Sequence, residues 1–149
     1  MTPRILIVEA RFYAEISDAL LDGATAVLQN AGVIFERISV PGALEIAPAI
    51  LFAALAGEGA GKTFDGYVAL GCVVRGDTYH FEIVSNESAR GLTDLALQHA
   101  LCIGNGILTC ETESQAMLRA TREGQDKGGD AARACLTLVN LRAKLGMRR

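Results

Sequence analysis

The sequence predicts an α/β protein in which helices cover both faces of one parallel sheet. Short apolar runs of strand length alternate with segments whose apolar residues recur at helical spacing. Half of the 149 residues are hydrophobic, but only 5% are aromatic and tryptophan is absent, so the core must be built from Ala, Val, Leu and Ile. A chain of this length with no internal repeat and no linker predicts a single domain over residues 1–149.

The first half of the chain is predicted to contain two strands, each followed by a helix. The apolar run Arg4–Ala10 indicates a buried strand, and apolar residues recur at helical spacing over Ile16–Leu28. The segment Asn30–Gly32 is a typical end for that helix. Val33–Val40 indicates a second strand, and Leu44–Ala56 a second helix.

The second half is predicted to contain two more strands and three helices. Tyr67–Val74 has strand length and β-branched residues, and Ile107–Cys110 is the core of a fourth strand. The helices are predicted over Ser85–Ala100, Ser114–Ala120 and Gly129–Leu145. Four strands with right-handed crossovers favour a flavodoxin-like three-layer sandwich, in which all strand carboxyl ends meet at one edge of the sheet.

The turn after the third strand is the most informative feature at this edge. The apolar run ends in Arg75-Gly76-Asp77-Thr78, and His80, one of only two histidines, follows. A cation, an acid, a hydroxyl and an imidazole, a group that titrates near neutral pH, therefore lie close together. Because open α/β sheets bind ligands at this edge, we predict a functional site here.

Composition excludes several classes of protein. The net charge of −3 argues against a general nucleic-acid binder. The sequence has no signal-peptide pattern and no apolar segment of membrane-spanning length, so we expect no membrane association and a cytoplasmic location. The cysteines lack CxxC spacing and lie in apolar contexts, which favours structural thiols over a metal site or disulfides. They are Cys72, Cys102, Cys110 and Cys135.

The stretch Gly57–Thr63 superficially resembles a phosphate-binding P-loop. Ala56 occupies the position of the first glycine, and the stretch follows a helix and precedes a strand, which reverses the P-loop context. We therefore interpret Gly57–Lys62 as a surface connection.

Other segments at the same edge allow both structural and functional interpretations. Pro41–Glu45 is either a turn that opens a helix or a set of amides and a carboxylate that bind a polar ligand. Phe12 either covers the core or stacks on a planar ligand. Arg75 and Arg119 are each either a surface ion pair or a partner for a phosphate or carboxylate. Lys127 either is exposed at a helix start or joins the site.

Together these segments resemble the lumazine synthase family, collinearly over nearly the whole chain. The central segment, Leu70–His80, matches the family pattern LG-x-V-[IV]-RG-x-T-x-H and is the most specific. The supporting segments are Ala10–Phe12, Val40–Glu45, Asn86–Gly91, Gly106–Thr109, Ser114–Ala120 and Asp126–Gly128.

The resemblance implies an enzyme of riboflavin biosynthesis that joins two small-molecule substrates. It implies condensation of 5-amino-6-(D-ribitylamino)uracil with 3,4-dihydroxy-2-butanone 4-phosphate to 6,7-dimethyl-8-ribityllumazine, with release of phosphate and water. It also implies no metal, no organic cofactor, and a homopentamer whose sites are shared by adjacent subunits. The predicted helix Gly129–Leu145 has more apolar surface than one small sheet can cover, which agrees with an oligomer.

The resemblance further implies roles for particular residues. His80 would transfer protons and Phe12 would stack on the pyrimidine. The ribityl chain and ring would contact Ala43, Leu44, Glu45, Cys72, Val73 and Val74. Asp77 and Thr78 would lie at the phosphate. The remaining substrate-binding residues would be Asn105 and Arg119, both from the adjacent subunit, and Lys127.

Two other function classes remain alternatives to the synthase. Asn105 stands where the family usually has a bulky, often aromatic residue, which leaves open a flavin- or lumazine-binding module with weak or no turnover. A flavodoxin-like electron carrier or nucleotide-binding domain is disfavoured, because Glu9–Phe12 follows the first strand in place of a Ser/Thr-rich phosphate loop.

Overall fold

The computed structural model describes residues 2–60 and 63–147, which form a parallel sheet between two layers of helices. The strands are β1 (Arg4–Ala10), β2 (Ile34–Val40), β3 (Gly66–Val74) and β4 (Ile103–Cys110). The helices are α1 (Ala14–Asn30), α2 (Ile46–Ala60), α3 (His80–His99), α4 (Glu113–Ala120) and α5 (Lys127–Lys144), with a short 3₁₀ helix at Ala43–Glu45. The strand order is β2-β1-β3-β4 and every pair is parallel, which confirms the predicted flavodoxin-like arrangement.

Alternate residues of the strands enter two separate hydrophobic clusters. On one face, Ile5 and Ile7 of β1 pack with residues of α1, α4 and α5. On the other face, Leu6 and Val8 pack with Ile46 and other residues of α2 and α3. The period of two along β1 therefore places a helix layer on each side of the sheet.

Two helices lie unusually close on the first face. A Cβ atom at Gly128, in the first turn of α5, would lie 2.1 Å from the carbonyl oxygen of Leu20 on α1. Asp126 caps α5 by accepting a hydrogen bond from the Gly129 amide at 3.3 Å. The glycines thus allow α1 and α5 to make backbone contact.

Two element starts differ from the sequence prediction by four or more residues. Helix α3 begins at His80, not at Ser85, so His80 belongs to a helical first turn and not to the preceding loop. Strand β4 begins at Ile103, not at Ile107, although Gly104 and Gly106 weaken any strand pattern there. Pairing with β3 extends the strand, and Gly104 is needed because a Cβ would lie 1.8 Å from the Ala131 carbonyl oxygen.

Helix α2 is longer than predicted. It continues through Gly57 to Ala60, so the prediction of a loop from Gly57 was wrong over these residues. Gly61 and Lys62, the other residues of the P-loop-like stretch in that prediction, lie outside the described residues. Residues 57–60 instead prolong a strongly apolar helix that covers the second face of the sheet.

The four cysteines are buried and free, as predicted for structural thiols. Within residues 2–60 and 63–147, no group of three or more His, Cys, Asp or Glu side chains is arranged to hold a metal ion. No helix in the same ranges is both long enough and apolar enough to span a bilayer.

Candidate active site

A cavity of about 460 Å³ opens at the carboxyl edge of the sheet. It is bounded by the segments that follow β1 and β2, by the end of β3, and by the first turns of α3. Its lining residues are Phe12, Tyr13, Pro41, Gly42, Ala43, Leu44, Glu45, Cys72, Val73, Val74, His80 and Val84. The structure therefore brings together, in one cavity, eight of the predicted site residues: Phe12, Ala43, Leu44, Glu45, Cys72, Val73, Val74 and His80.

One side wall of the cavity is the segment between β1 and α1. The Phe12 side chain is 76% exposed and meets Tyr13 edge-on, with ring centroids 5.0 Å apart. The Tyr13 carbonyl oxygen accepts a hydrogen bond from the Ser17 amide at 2.8 Å, which ties this segment to the start of α1. A large aromatic ring is thus held in the open, where it can stack on a planar ligand.

The second segment, between β2 and α2, carries amides and a carboxylate. Ala43 is buried, whereas Glu45 is exposed. The Glu45 amide donates to the Gly42 carbonyl oxygen at 3.1 Å, which forms the tight turn of the 3₁₀ helix. The first amides of a helix have no partner within that helix, so those of Ala43 and Leu44 are left for a partner outside it.

The floor of the cavity is the end of β3, where Cys72, Val73 and Val74 lie. Burial raises the pKa of the Cys72 thiol to about 12. Because only the thiolate is strongly nucleophilic, Cys72 serves as an apolar wall at neutral pH and not as a nucleophile.

The other side wall is the turn after β3 and the start of α3. His80 is exposed, and its amide donates to the Thr78 hydroxyl at 3.4 Å. Val84, one helical turn further on, also lines the cavity. His80 therefore lines the same cavity as Phe12, from a different segment of the chain.

Arg75 fixes this turn through an exposed network of ion pairs. Its guanidinium bonds to Glu82 of α3 and, through Nε at 2.6 Å, to Glu111 after β4, and it lies 4.5 Å from the centroid of Phe81. Hydrogen bonding between Arg75 and Glu82 raises the pKa of the former and lowers the pKa of the latter. Of the two interpretations of Arg75, the structure therefore supports the surface ion pair.

Comparison with known proteins identifies the family. The family model described as 6,7-dimethyl-8-ribityllumazine synthase matches residues 2–143. The chain belongs to this family. It is 56% identical to "6,7-dimethyl-8-ribityllumazine synthase 1" of Mesorhizobium japonicum over 97% of this chain and 88% of that protein. It is also 56% identical to a synthase of Agrobacterium fabrum, over 97% of both chains, and 57% identical to one of Nitrobacter hamburgensis, over 95% of this chain and 87% of that protein.

Five of the predicted site residues lie outside the lining of this cavity. Asp77 and Thr78 are exposed on the turn between β3 and α3. The other three lie on β4 or on the helices that follow it. They are Asn105, Arg119 and Lys127. The predicted site residues of one chain thus fall into two groups. The first lies in the cavity or on the turn beside it, and the second lies on β4, α4 and α5 and consists of Asn105, Arg119 and Lys127.

The residues of this second group make local contacts. Asn105 is exposed on the edge strand, and its Oδ1 accepts a hydrogen bond from the Ile107 amide at 2.9 Å. Arg119 donates to the Gln115 carbonyl oxygen within α4 at 3.0 Å. Lys127 lies 3.5 Å from the Asp130 carboxylate. The Lys127 ammonium stays in contact with solvent despite its ion pair, and the Arg119 guanidinium does so despite its hydrogen bond.

Four residues of the cavity lining were not among the site residues predicted from the sequence. Tyr13, Pro41 and Gly42 adjoin predicted site residues, so adjacency in sequence was the available signal. Val84 was missed because α3 was predicted to begin at Ser85. With the helix beginning at His80, the spacing of four residues places Val84 on the same face as His80.

Proposed function

We propose that this chain, acting as a single domain, condenses 5-amino-6-(D-ribitylamino)uracil with 3,4-dihydroxy-2-butanone 4-phosphate. The product is 6,7-dimethyl-8-ribityllumazine, and phosphate and water are released. The supporting observation is that a cavity at the carboxyl edge of the sheet joins the family's motif residues from three separate segments.

In this proposal, one wall binds the pyrimidine and its ribityl chain. The exposed ring of Phe12 stacks on the pyrimidine, and the backbone groups of Ala43 and Leu44 with the Glu45 carboxylate hold the hydroxyl groups of the chain. The neutral side chain of Cys72 and the backbone of Val73 and Val74 enclose the ring. A largely apolar lining with a few polar groups is typical of a small-molecule site.

In the same proposal, the His80 side of the cavity provides the groups for proton transfer and phosphate binding. Imine formation between the substrate amine and ketone requires proton transfers, which the imidazole of His80 supplies from the start of α3. Asp77 and Thr78 lie on the adjoining turn and contact the phosphate group. Holding both substrates against Phe12 and His80 also contributes through orientation.

The second group of motif residues completes the site from a neighbouring subunit of a pentamer. Arg119 supplies a planar cation for the departing phosphate, Asn105 forms part of the ring wall, and Lys127 joins the substrate-binding residues. Use of two different surfaces of one chain in this way generates a closed ring and not a two-fold dimer. We place this enzyme in the cytoplasm.

The deciding experiment is to mix the two substrates with purified protein and follow the fluorescence of the lumazine product. We expect turnover well above the uncatalysed rate, and equimolar phosphate release. Binding of the lumazine without turnover would instead indicate a binding module, the alternative that Asn105 leaves open. The control variant is Arg90→Gln, which is expected to turn over as the parent chain does. Arg90 pairs with Glu87 and Asp94 on α3, outside the cavity lining.

Shared sites are tested by reassembly. Phe12→Ala and Arg119→Ala, each of low activity by itself at substrate concentrations below saturation, are dissociated, mixed and reassembled, and activity under those conditions and mass are measured. Some mixed interfaces then contain two intact halves, so activity returns. A confirmed mixed oligomer without recovery means that each site lies within one chain.

A further inference from the structure

Glu9 is a buried carboxylate for which the proposed reaction has no role. It precedes the last residue of β1, and its side chain is only 1% exposed. The period of two along the strand places it on the face of Ile5 and Ile7, which α1 covers. Burial of an ionised carboxylate is unfavourable unless cations pair with it, so the groups around Glu9 determine what it does.

Two arginines reach this carboxylate from different segments. Arg11 Nη1 donates to Glu9 Oε1 at 2.8 Å, and Arg37 Nη1 of β2 lies 3.2 Å from Glu9 Oε2. The contact with Arg37 is an ion pair without hydrogen-bond alignment, since Oε2 has no hydrogen-bond donor among the described residues. Arg11 also pairs with Asp18 of α1. One buried carboxylate thereby connects β2, the segment after β1, and α1.

Phe12 directly follows Arg11 in this connected segment. Packing restrains the Phe12 ring little, because the ring is largely exposed and the aromatic ring it contacts is that of its neighbour Tyr13. Its direction therefore depends on the backbone on either side. Before the ring, the Arg11 side chain is held by Glu9; after it, the Tyr13 carbonyl oxygen is held by the Ser17 amide.

We propose that Glu9 is a positioning residue, whose buried carboxylate holds Arg11 so that the Phe12 ring stays directed over the cavity. The effect on the reaction rests on the proposed function, in which Phe12 stacks on the pyrimidine. A ring held in place before the ligand arrives loses less freedom on binding, so Glu9 contributes to affinity without touching the substrate.

The first test needs no substrate. Because the chain has no tryptophan, Phe12→Trp introduces a single tryptophan at the wall, which can be excited at wavelengths that the three tyrosines do not absorb. Adding Glu9→Gln, which keeps the side-chain volume but removes the charge, is expected to increase the amplitude of fast motion in the time-resolved anisotropy. The matched control is Glu36→Gln, which removes an exposed carboxylate paired with Arg4 at 2.8 Å, elsewhere on the same strand pair. The control is expected to leave the decay unchanged.

The second test measures binding of the pyrimidine substrate by titration calorimetry. In the parent chain, Glu9→Gln is expected to weaken binding on the order of tenfold, with a much smaller change in kcat at saturation. In the Phe12→Ala background the same change is expected to have no further effect, because the group through which Glu9 acts is gone. Glu36→Gln is expected to leave binding unchanged in both backgrounds.

Equal weakening in both backgrounds, or an unchanged anisotropy decay, would overturn the role of Glu9. A parent chain that does not bind the pyrimidine would instead contradict the proposed function, while the anisotropy arm still decides for or against Glu9. If Glu9→Gln does not fold, Arg11→Gln removes the other, partly exposed partner and carries the same two measurements with the same expected results.

Discussion

The two side walls of the cavity are anchored in opposite ways. The Phe12 wall is tied to a carboxylate, Glu9, that is withdrawn from water, whereas the His80 wall is tied to Arg75 and its partners at the surface. Ion pairs are screened strongly in water and weakly when buried. We therefore expect the Phe12 wall, to which we assign binding, to be more rigid than the His80 wall, to which we assign the proton transfers.

The largest expected effect comes from the His80 wall, to which we assign the proton transfers. His80→Ala is expected to lower kcat by about 10²–10⁴-fold, the usual contribution of a general acid–base group, because orientation of the substrates persists. The measurement is the rate of lumazine formation at saturating substrates, with the uncatalysed rate subtracted. An unchanged kcat would remove His80 from the mechanism.

The rigid wall gives the contrasting result. Phe12→Ala is expected to weaken pyrimidine binding by about 1–3 kcal/mol, the usual value of base–aromatic stacking, and to change kcat less. KM and kcat for each substrate separate the two walls. If Phe12→Ala and His80→Ala alter KM and kcat in the same proportion, the division between binding and chemistry is wrong.

The dependence of kcat on ionic strength is expected to distinguish the exposed ion pairs of Arg75 from the buried pairs of Glu9, with a smaller effect than the substitutions above. Raising ionic strength weakens the exposed pairs of Arg75 with Glu82 and Glu111, so kcat at saturating substrates is expected to fall a few-fold in the parent chain. Arg75→Gln, which has already lost these pairs, is expected to show low kcat and little dependence on salt. The matched control is Arg90→Gln, which removes another exposed double pair on α3 and is expected to behave as the parent does.

The smallest effect at neutral pH concerns the thiols and appears only in alkali. Burial raises the pKa of Cys72 and of Cys135 to about 12, so both bind a proton in the folded chain at pH values where the unfolded chain has released it. The contribution of these two thiols to the free energy of unfolding is therefore expected to be constant below about pH 8 and to fall between about pH 9 and pH 12, by at most about 1.4 kcal/mol per pH unit for each thiol.

Denaturant titrations between pH 7 and pH 11 measure this loss of stability. Cys135→Ala is expected to lower stability at neutral pH through a small cavity but to reduce the slope above pH 9. An identical slope in parent and variant would show that the Cys135 thiol does not contribute to the alkaline loss.

The fold was largely predictable because its signals are local. The run Arg4–Ala10 is apolar at every position except Arg4 and Glu9, and the helical period of α1 ends at a glycine, Gly32, whose φ of 71° suits that residue. The start of β4 was not predictable, since Gly104 and Gly106 give no strand signal. That segment is extended because β3 pairs with it and α5 requires glycine there.

The cavity lining was predictable where motif residues lie shortly after a strand, as Phe12 and Glu45 do. The anchors of these residues were not predictable. In the sequence, Glu9 is a single polar residue within an apolar strand. Only the fold shows that Arg11 and Arg37 both pair with it. Likewise Arg75 was open between a ligand partner and an ion pair until α3 and the end of β4 placed Glu82 and Glu111 beside it.

The sequence by itself determined the α/β class, the parallel order and the segments that form the cavity, because periodicity, turn residues and motif spacing are properties of neighbouring positions. The tertiary structure alone decided which charges are paired, which cysteine is a wall, and that His80 begins a helix. Those outcomes depend on side chains far apart in the chain, whose burial and partners exist only once the strands and helices have packed.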